Sequence, residues 1–407
     1  MSDLQGTAGL PRNVKLLGLA SLINDIASEM IYPMIPVFLI GVLGGNRVQL
    51  GLIEGAADSV ASLLKLWSGG RSDRVGRRKG FVVTGYLLAT IARGLLSMAT
   101  APWQLFAIRI GDRVGKGIRT SPRDAMIADS TAPGMRGRAF GFHRAMDHLG
   151  AAIGPVLAAA FLWAWPGRLR ELFLLAMVPG IVVLGILTLA LREPGRSATS
   201  QEPFRMTMAP FGRDFRRLLV ALVVFTLGNA SDAFLLVRAG ELGVPEFQLP
   251  ILWCVFHVAK SAGSLVAGRA SDRLGTRPLI LAGWGVYALI YLAFAMATAA
   301  WQVWVLFLGY SLFYALTEPA EKAMVVELVG GERKGLAFGW YNLATGVAAL
   351  PSSLIFGILY QMLGAWAAFG FGAGMAAAAA LILPMRRNSS PRIGNEPGPV
   401  GSAVPRE

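Results

Sequence analysis

The chain has 407 residues, of which 54% are hydrophobic and only 15% charged, and its formal net charge is +14. So few charges cannot cover a soluble protein of this size, so the excess apolar surface must face a bilayer. The positive charge sits in short connections between apolar runs and not on one broad basic surface, which argues against a nucleic-acid-binding protein. A lone cysteine, Cys254, excludes a disulfide framework.

A spanning helix needs about 20 mostly apolar residues. Runs of that kind predict helices near 14–43, 48–70, 79–100, 102–128, 138–163 and 170–192, then 216–240, 247–270, 277–299, 301–327, 336–362 and 364–385. The fold class is therefore all-α integral membrane, with about twelve transmembrane helices in two six-helix halves. The first run shows no cleavage-site pattern and reads as a retained helix. The expected organisation is an N-terminal bundle over 1–192, a linker over 193–215, a C-terminal bundle over 216–386 and a disordered tail over 387–407.

The connections alternate in character. Arg71 to Lys79, Arg136 to Arg138, Arg192 to Arg217, Arg269 to Arg277, and Arg333 with Lys334 are basic. The others are short and mostly neutral, such as those ending at Trp103, Trp301 and Trp366, where tryptophan suits a membrane interface. Arg47, Arg168 and Arg170 are exceptions on the neutral side. The asymmetry predicts that the basic connections and both termini are cytoplasmic, in the cell (inner or plasma) membrane.

Two motifs recur at nearly one offset. Gly69, Asp73, Arg74, Gly76 and Arg77 match Gly268, Asp272, Arg273, Gly275 and Arg277, and Gly137–Gly141 matches Gly335–Gly339. The offsets, 199 and 198 residues, indicate two parallel repeats, a known transporter plan.

Ionisable groups inside membrane helices are functional suspects. The first helix holds Asp25 and Glu29 on one face; the second holds Glu54, Asp58 and Lys65. The fourth holds Arg109, Asp112, Arg113 and Lys116, with Arg109, Arg113 and Lys116 forming one cationic stripe. The fifth holds His143, Arg144, Asp147 and His148. The second half is less charged. Asp232, His257, Glu318 and Tyr341 are its candidates for completing a cavity with Asp58, Asp112, Lys116 and His148. His143 and His148 are five apart and converge poorly, so no metal site is expected. No phosphate-binding loop of the ATPase type occurs, and no cofactor or enzymatic triad is indicated.

The motif G-x-x-x-D-R-x-G-R-R at Gly69–Arg78 resembles that of the major facilitator superfamily. So does Arg109 followed by small residues in the fourth helix, where Arg113 departs from the usual pattern. Gly141, Gly150, Gly154 and Pro155 resemble the family's antiporter motif in the fifth helix, with Ala158 replacing the usual last glycine. The resemblance implies that the loop at Asp73, and its copy at Asp272, latches the halves in the outward-facing state. It further implies that helices 1 and 4 line the cavity and that Arg109 takes part in proton transfer.

The expected function is proton-coupled secondary active transport, exporting a small amphipathic or anionic solute by alternating access. Its coupling residues would be Asp25, Glu29, Arg109, Arg113 and Asp147, with acids on the first helix pairing with bases on the fourth. An importer or facilitator of a small organic anion, and a membrane scaffold or sensor without flux, are the alternatives. The expected partners are the solute, protons and lipid, with no nucleic acid, in a monomer.

Overall fold

The computed structural model describes residues 9–132, 135–193, 207–329 and 334–384; the side chains of 265–273, 334 and 335 fall outside the description. Twelve long helices follow one another: α1 Arg12–Val42, α2 Arg47–Val75, α3 Lys79–Met98, α4 Pro102–Asp129, α5 Arg136–Ala164, α6 Leu169–Leu189. The second set is α7 Arg213–Glu241, α8 Gln248–Leu274, α9 Thr276–Met296, α10 Ala300–Val329, α11 Lys334–Leu363 and α12 Ala365–Ile382. Nine of these, among the described residues, are long and apolar enough to cross a membrane. The other three, α2, α4 and α8, run 29, 28 and 27 residues and so have the length, but carry the intramembrane charges.

Local chemistry sets the boundaries. Asn46 caps α2 by accepting from the backbone N–H of Gln49 at 2.9 Å, while Gln49 accepts from that of Asn46 at 3.0 Å. Gly76 ends α2 in the left-handed region, φ 72°, where a side chain would be strained. The helix therefore reaches five residues beyond the expected 70, and Asp73 and Arg74 lie in its last turn rather than in a loop. Pro33 and Pro36 lack an N–H, and around them α1 tightens to a 3-10 turn at Tyr32–Met34 and widens to a π turn at Phe38–Val42. α7 breaks between Gly228 and Ala233, leaving Asn229 to Asp232 outside the helix.

The packing repeats with a shift of six helices. α1 packs on α5 as α7 packs on α11, and α2 and α3 pack on α4 as α8 and α9 pack on α10. Between the two sets, α2 lies against α11 and α5 against α8, which the same shift interchanges. The α2–α11 seam is tight: a Cβ on Gly55 would stand 2.9 Å from Leu350 Cα, and the Ser59 hydroxyl donates to Gly346 O at 2.6 Å. Gly150 does the same for α5 on α1, where a Cβ would meet Leu22 O at 2.5 Å; Gly154 likewise abuts Ile26 O. Gly141 does not belong with them. It is exposed, with open space where its Cβ would stand, because nine residues before Gly150 it faces the opposite side of α5, away from α1.

The outer face is apolar, as lipid contact requires. Trp103, Trp301 and Trp366, at the starts of α4, α10 and α12, are 69%, 68% and 68% exposed and ring one end of the molecule. Arg47 lies at that end, called here the tryptophan end; Asp73 to Arg78 mark the motif end.

Candidate functional site

A cavity of about 480 Å³ lies between the two sets of helices. Asp25, Glu29, Asp58, Arg109, Asp112, Arg113, Lys116, Asp147, His148, Asp232 and His257 all line it, so the structure brings most of the candidate residues into one space. Glu318 and Tyr341 do not line it. Glu318 binds Lys260 at 3.3 Å, Lys322 at 3.0 Å and Arg144 at 3.4 Å beside it, and Tyr341 donates to the buried Glu321 at 2.9 Å.

The pairing of charges differs from the expectation. Arg109 does not meet Asp25 or Glu29. It holds Glu54 of α2, its Nη2 standing 2.8 and 2.9 Å from the two carboxylate oxygens and its Nε 3.0 Å from one. Both side chains are almost fully buried, at 6% and 1% exposure. The cause is adjacency: α4 packs along α2, whereas α1 packs chiefly on α5. A two-pronged guanidinium–carboxylate pair is the geometry that best offsets the desolvation of two ions.

The α1 acids are left without ion pairs among the described residues. Asp25 accepts from the Asn24 amide at 3.1 Å, and Glu29 from the indole N–H of Trp253 on α8 at 2.8 Å. Asp147 accepts from the Ser21 hydroxyl and stands 3.5 Å from His143 Nδ1. Asp232, beside the break in α7, accepts from the hydroxyls of Tyr310 at 2.6 Å and Tyr314 at 3.2 Å. His148 lies 3.3 Å from the Ser261 hydroxyl, and His257 Nε2 is buried without a partner. These carboxylates are held by neutral donors, so each can exchange a proton without tearing a guanidinium pair apart.

Two participants, Arg93 and Trp253, were not among the sequence candidates. Arg93 of α3 is 3% exposed, lines the cavity and donates to Asn24 Oδ1 at 2.7 Å. An arginine amid an apolar helix was the available signal. Glu54, Lys65 and Trp253 were visible as residues, but their roles depend on which helices touch.

At the motif end, Arg78 rather than Arg77 makes the contacts. It bridges Asp73 and Asp129, each at 2.9 Å, tying α2 to α4, and its backbone N–H donates to Glu193 at 2.6 Å. Arg74 and Arg77 are exposed. A Cβ on Gly69 would stand 3.3 Å from Ser121 Cβ on α4. The side chains of Asp272 and Arg273 lie outside the described residues. At the tryptophan end the two sets are tied directly. Arg47 of α2 pairs with Glu241 of α7, which also accepts from the Tyr360 hydroxyl of α11 at 2.5 Å.

The sequence matches the Major Facilitator Superfamily over residues 17–253 and again over 217–405. The chain belongs to that superfamily. An uncharacterized MFS-type transporter of Methanocaldococcus jannaschii is 32% identical over 359 residues, covering 87% of this chain and 89% of the relative. Multidrug resistance protein MdtH of Photorhabdus laumondii is 28% identical over 198 residues, 48% of each chain. In structure, a bacterial homologue of the human lysosomal transporter Spinster superposes with a TM-score of 0.71 at 16% identity, over 91% of this chain and 93% of that one. The chain is thus an integral membrane transporter of this superfamily, with its fold.

Proposed function

We propose that this transporter is a proton-coupled exporter of a small amphipathic or anionic solute, working by alternating access as a monomer in the cell membrane. The observation that carries the reading is the composition of the central cavity. It holds nine basic and six acidic side chains, with Lys65 and Lys116 unpaired among the described residues and with Asp25 and Glu29 free of ion pairs. The bases would hold the solute. The acids would carry the proton, with Asp147 and the charges of Arg109 and Arg113 setting their field.

The basic motif end would face the cytoplasm, with both termini on that side. In this arrangement the Arg47–Glu241 tie keeps the tryptophan end shut. Asp73, Arg78 and, by sequence repeat, Asp272 with Arg273 would close the motif end in the opposite state. The packing of Gly150 and Gly154 on α1, with Pro155 beside them, and the partial likeness to multidrug resistance proteins support export.

Import of a small organic anion together with protons is the second reading, and one observation favours it. The α1 acids and the unpaired lysines share one cavity, so a proton on Asp25 or Glu29 removes negative charge and strengthens anion binding. Solute and proton would then travel in the same direction. Proteoliposomes separate the readings. With an imposed pH gradient and a trapped pH dye, export by exchange predicts that solute moves against the proton flow. Co-transport predicts movement with it. Solute flux indifferent to the gradient would refute coupling in either form.

A further inference from the structure

One wall of the cavity carries three cations without full partners. Lys65 of α2 and Lys116 of α4 make no ion pair and no side-chain hydrogen bond among the described residues, although both line the cavity. Arg113, one turn before Lys116, makes no hydrogen bond. Its Nε is buried without a partner, and Asp58 and Asp112 both stand 3.9 Å away, beyond hydrogen-bond reach. Arg109, one turn earlier again, is saturated by Glu54. Like charges spaced i, i+3 on a helix repel, and more strongly away from water. The cluster invites a counter-ion of more than one charge.

The same cavity has an aromatic lining. The Trp253 ring stands 5.0 Å from Tyr32 and 4.7 Å from His257, centroid to centroid, and all three line the cavity. The indole N–H is committed to Glu29, which fixes the ring in place. A flat apolar group suits such a surface.

We propose that the cavity is a subsite for aryl dianions, in which Arg113, Lys65 and Lys116 take two negative charges and Trp253 packs on the aromatic body. This rests on the anionic-solute part of the function proposed above and specifies its charge. Guanidinium and ammonium groups together match a phosphate or a pair of carboxylates, the guanidinium through its planar fork and the ammonium as a point charge. A monoanion would leave one ammonium uncompensated.

Calorimetric titration of the purified full-length chain with phenyl phosphate, phthalate, benzoate and inorganic phosphate tests this. Both aryl dianions should bind roughly tenfold or more tighter than benzoate, the equivalent of about one neutralised charge. Lys65→Gln and Lys116→Gln should each lower dianion affinity by about tenfold, while Lys116→Arg, which keeps the charge, should retain most of it. Trp253→Leu should bring phenyl phosphate down towards inorganic phosphate. Equal binding of benzoate and phenyl phosphate, or undiminished dianion binding in Lys65→Gln and Lys116→Gln, would overturn the dianion subsite and leave the anion reading standing. Failure of all four anions to bind the unaltered chain would overturn both.

Discussion

The interior of α1 to α5 and the interior of α7 to α12 share one packing plan but hold different chemistry. The first is wired with charged groups: Glu54 pairs with Arg109, Asp124 with Arg123, and Arg93 donates to the Asn24 amide oxygen. The second is filled with rings, Phe225 stacking on Trp284 at 4.9 Å and Tyr287 on Tyr291 at 4.0 Å. At the repeat offset of 198–199, Arg109 falls on Phe307 or Leu308, Arg113 on Ser311 or Leu312, and Glu54 on Leu252 or Trp253. Duplication kept the spacing of helices and let the buried groups diverge. A wall that only moves needs packing; a wall that binds charge and exchanges protons needs polar groups whose desolvation is already met.

The comparison can be broken at graded points. The largest effect should come from Glu54→Gln, which strands a buried guanidinium. It should cost about 3–5 kcal/mol of stability, read by chemical denaturation in detergent, and Glu54→Gln with Arg109→Gln should recover much of it. A loss under about 1 kcal/mol would mean that the pair is hydrated and not structural. Phe225→Ala, in the aromatic half, should cost a similar ~3–5 kcal/mol through the cavity it leaves. It should leave the ratio of protons to solute unchanged, and a changed ratio would place coupling chemistry in the second half after all. Tyr310→Phe removes a 2.6 Å hydrogen bond to Asp232 and should cost about 1.5–3 kcal/mol by the same denaturation assay. Glu241→Gln should be the mildest for stability, at most about 1 kcal/mol, since both partners are partly exposed. That same energy is about a fivefold shift towards opening at the tryptophan end, visible as longer spin-label distances between α2 and α7. Unchanged distances would show that Arg47 and Glu241 are not a gate.

Much of the scaffold was legible in sequence. Apolar runs and the 198–199 repeat gave twelve helices, even for α2, α4 and α8, whose charges lower their hydropathy below that of a simple span. The apolar runs did not show that α2 continues to Val75, because helix propensity and a glycine terminator, not hydropathy, decide that end. The cavity residues were legible as misplaced charges, yet their partners were not. Choosing Glu54 over Asp25 for Arg109 requires knowing that α4 lies on α2. Arg47 read as an exception to the charge asymmetry until its tie to Glu241 gave it a reason to stand at that end. The side chains of the second copy of the loop motif, at Asp272 and Arg273, fall outside the description, and the tail over 387–407 and most of the linker expected over 193–215 lie outside the described residues.

The central claim is that the first set of helices carries the coupling through acids held by neutral donors. Proton uptake during solute flux in proteoliposomes tests it most directly, comparing the unaltered chain with Asp25→Asn, Glu29→Gln and the double substitution. The account predicts that solute still binds and crosses down its own gradient in the double variant, while proton movement falls to the background of empty vesicles. Full proton coupling in that variant would contradict it.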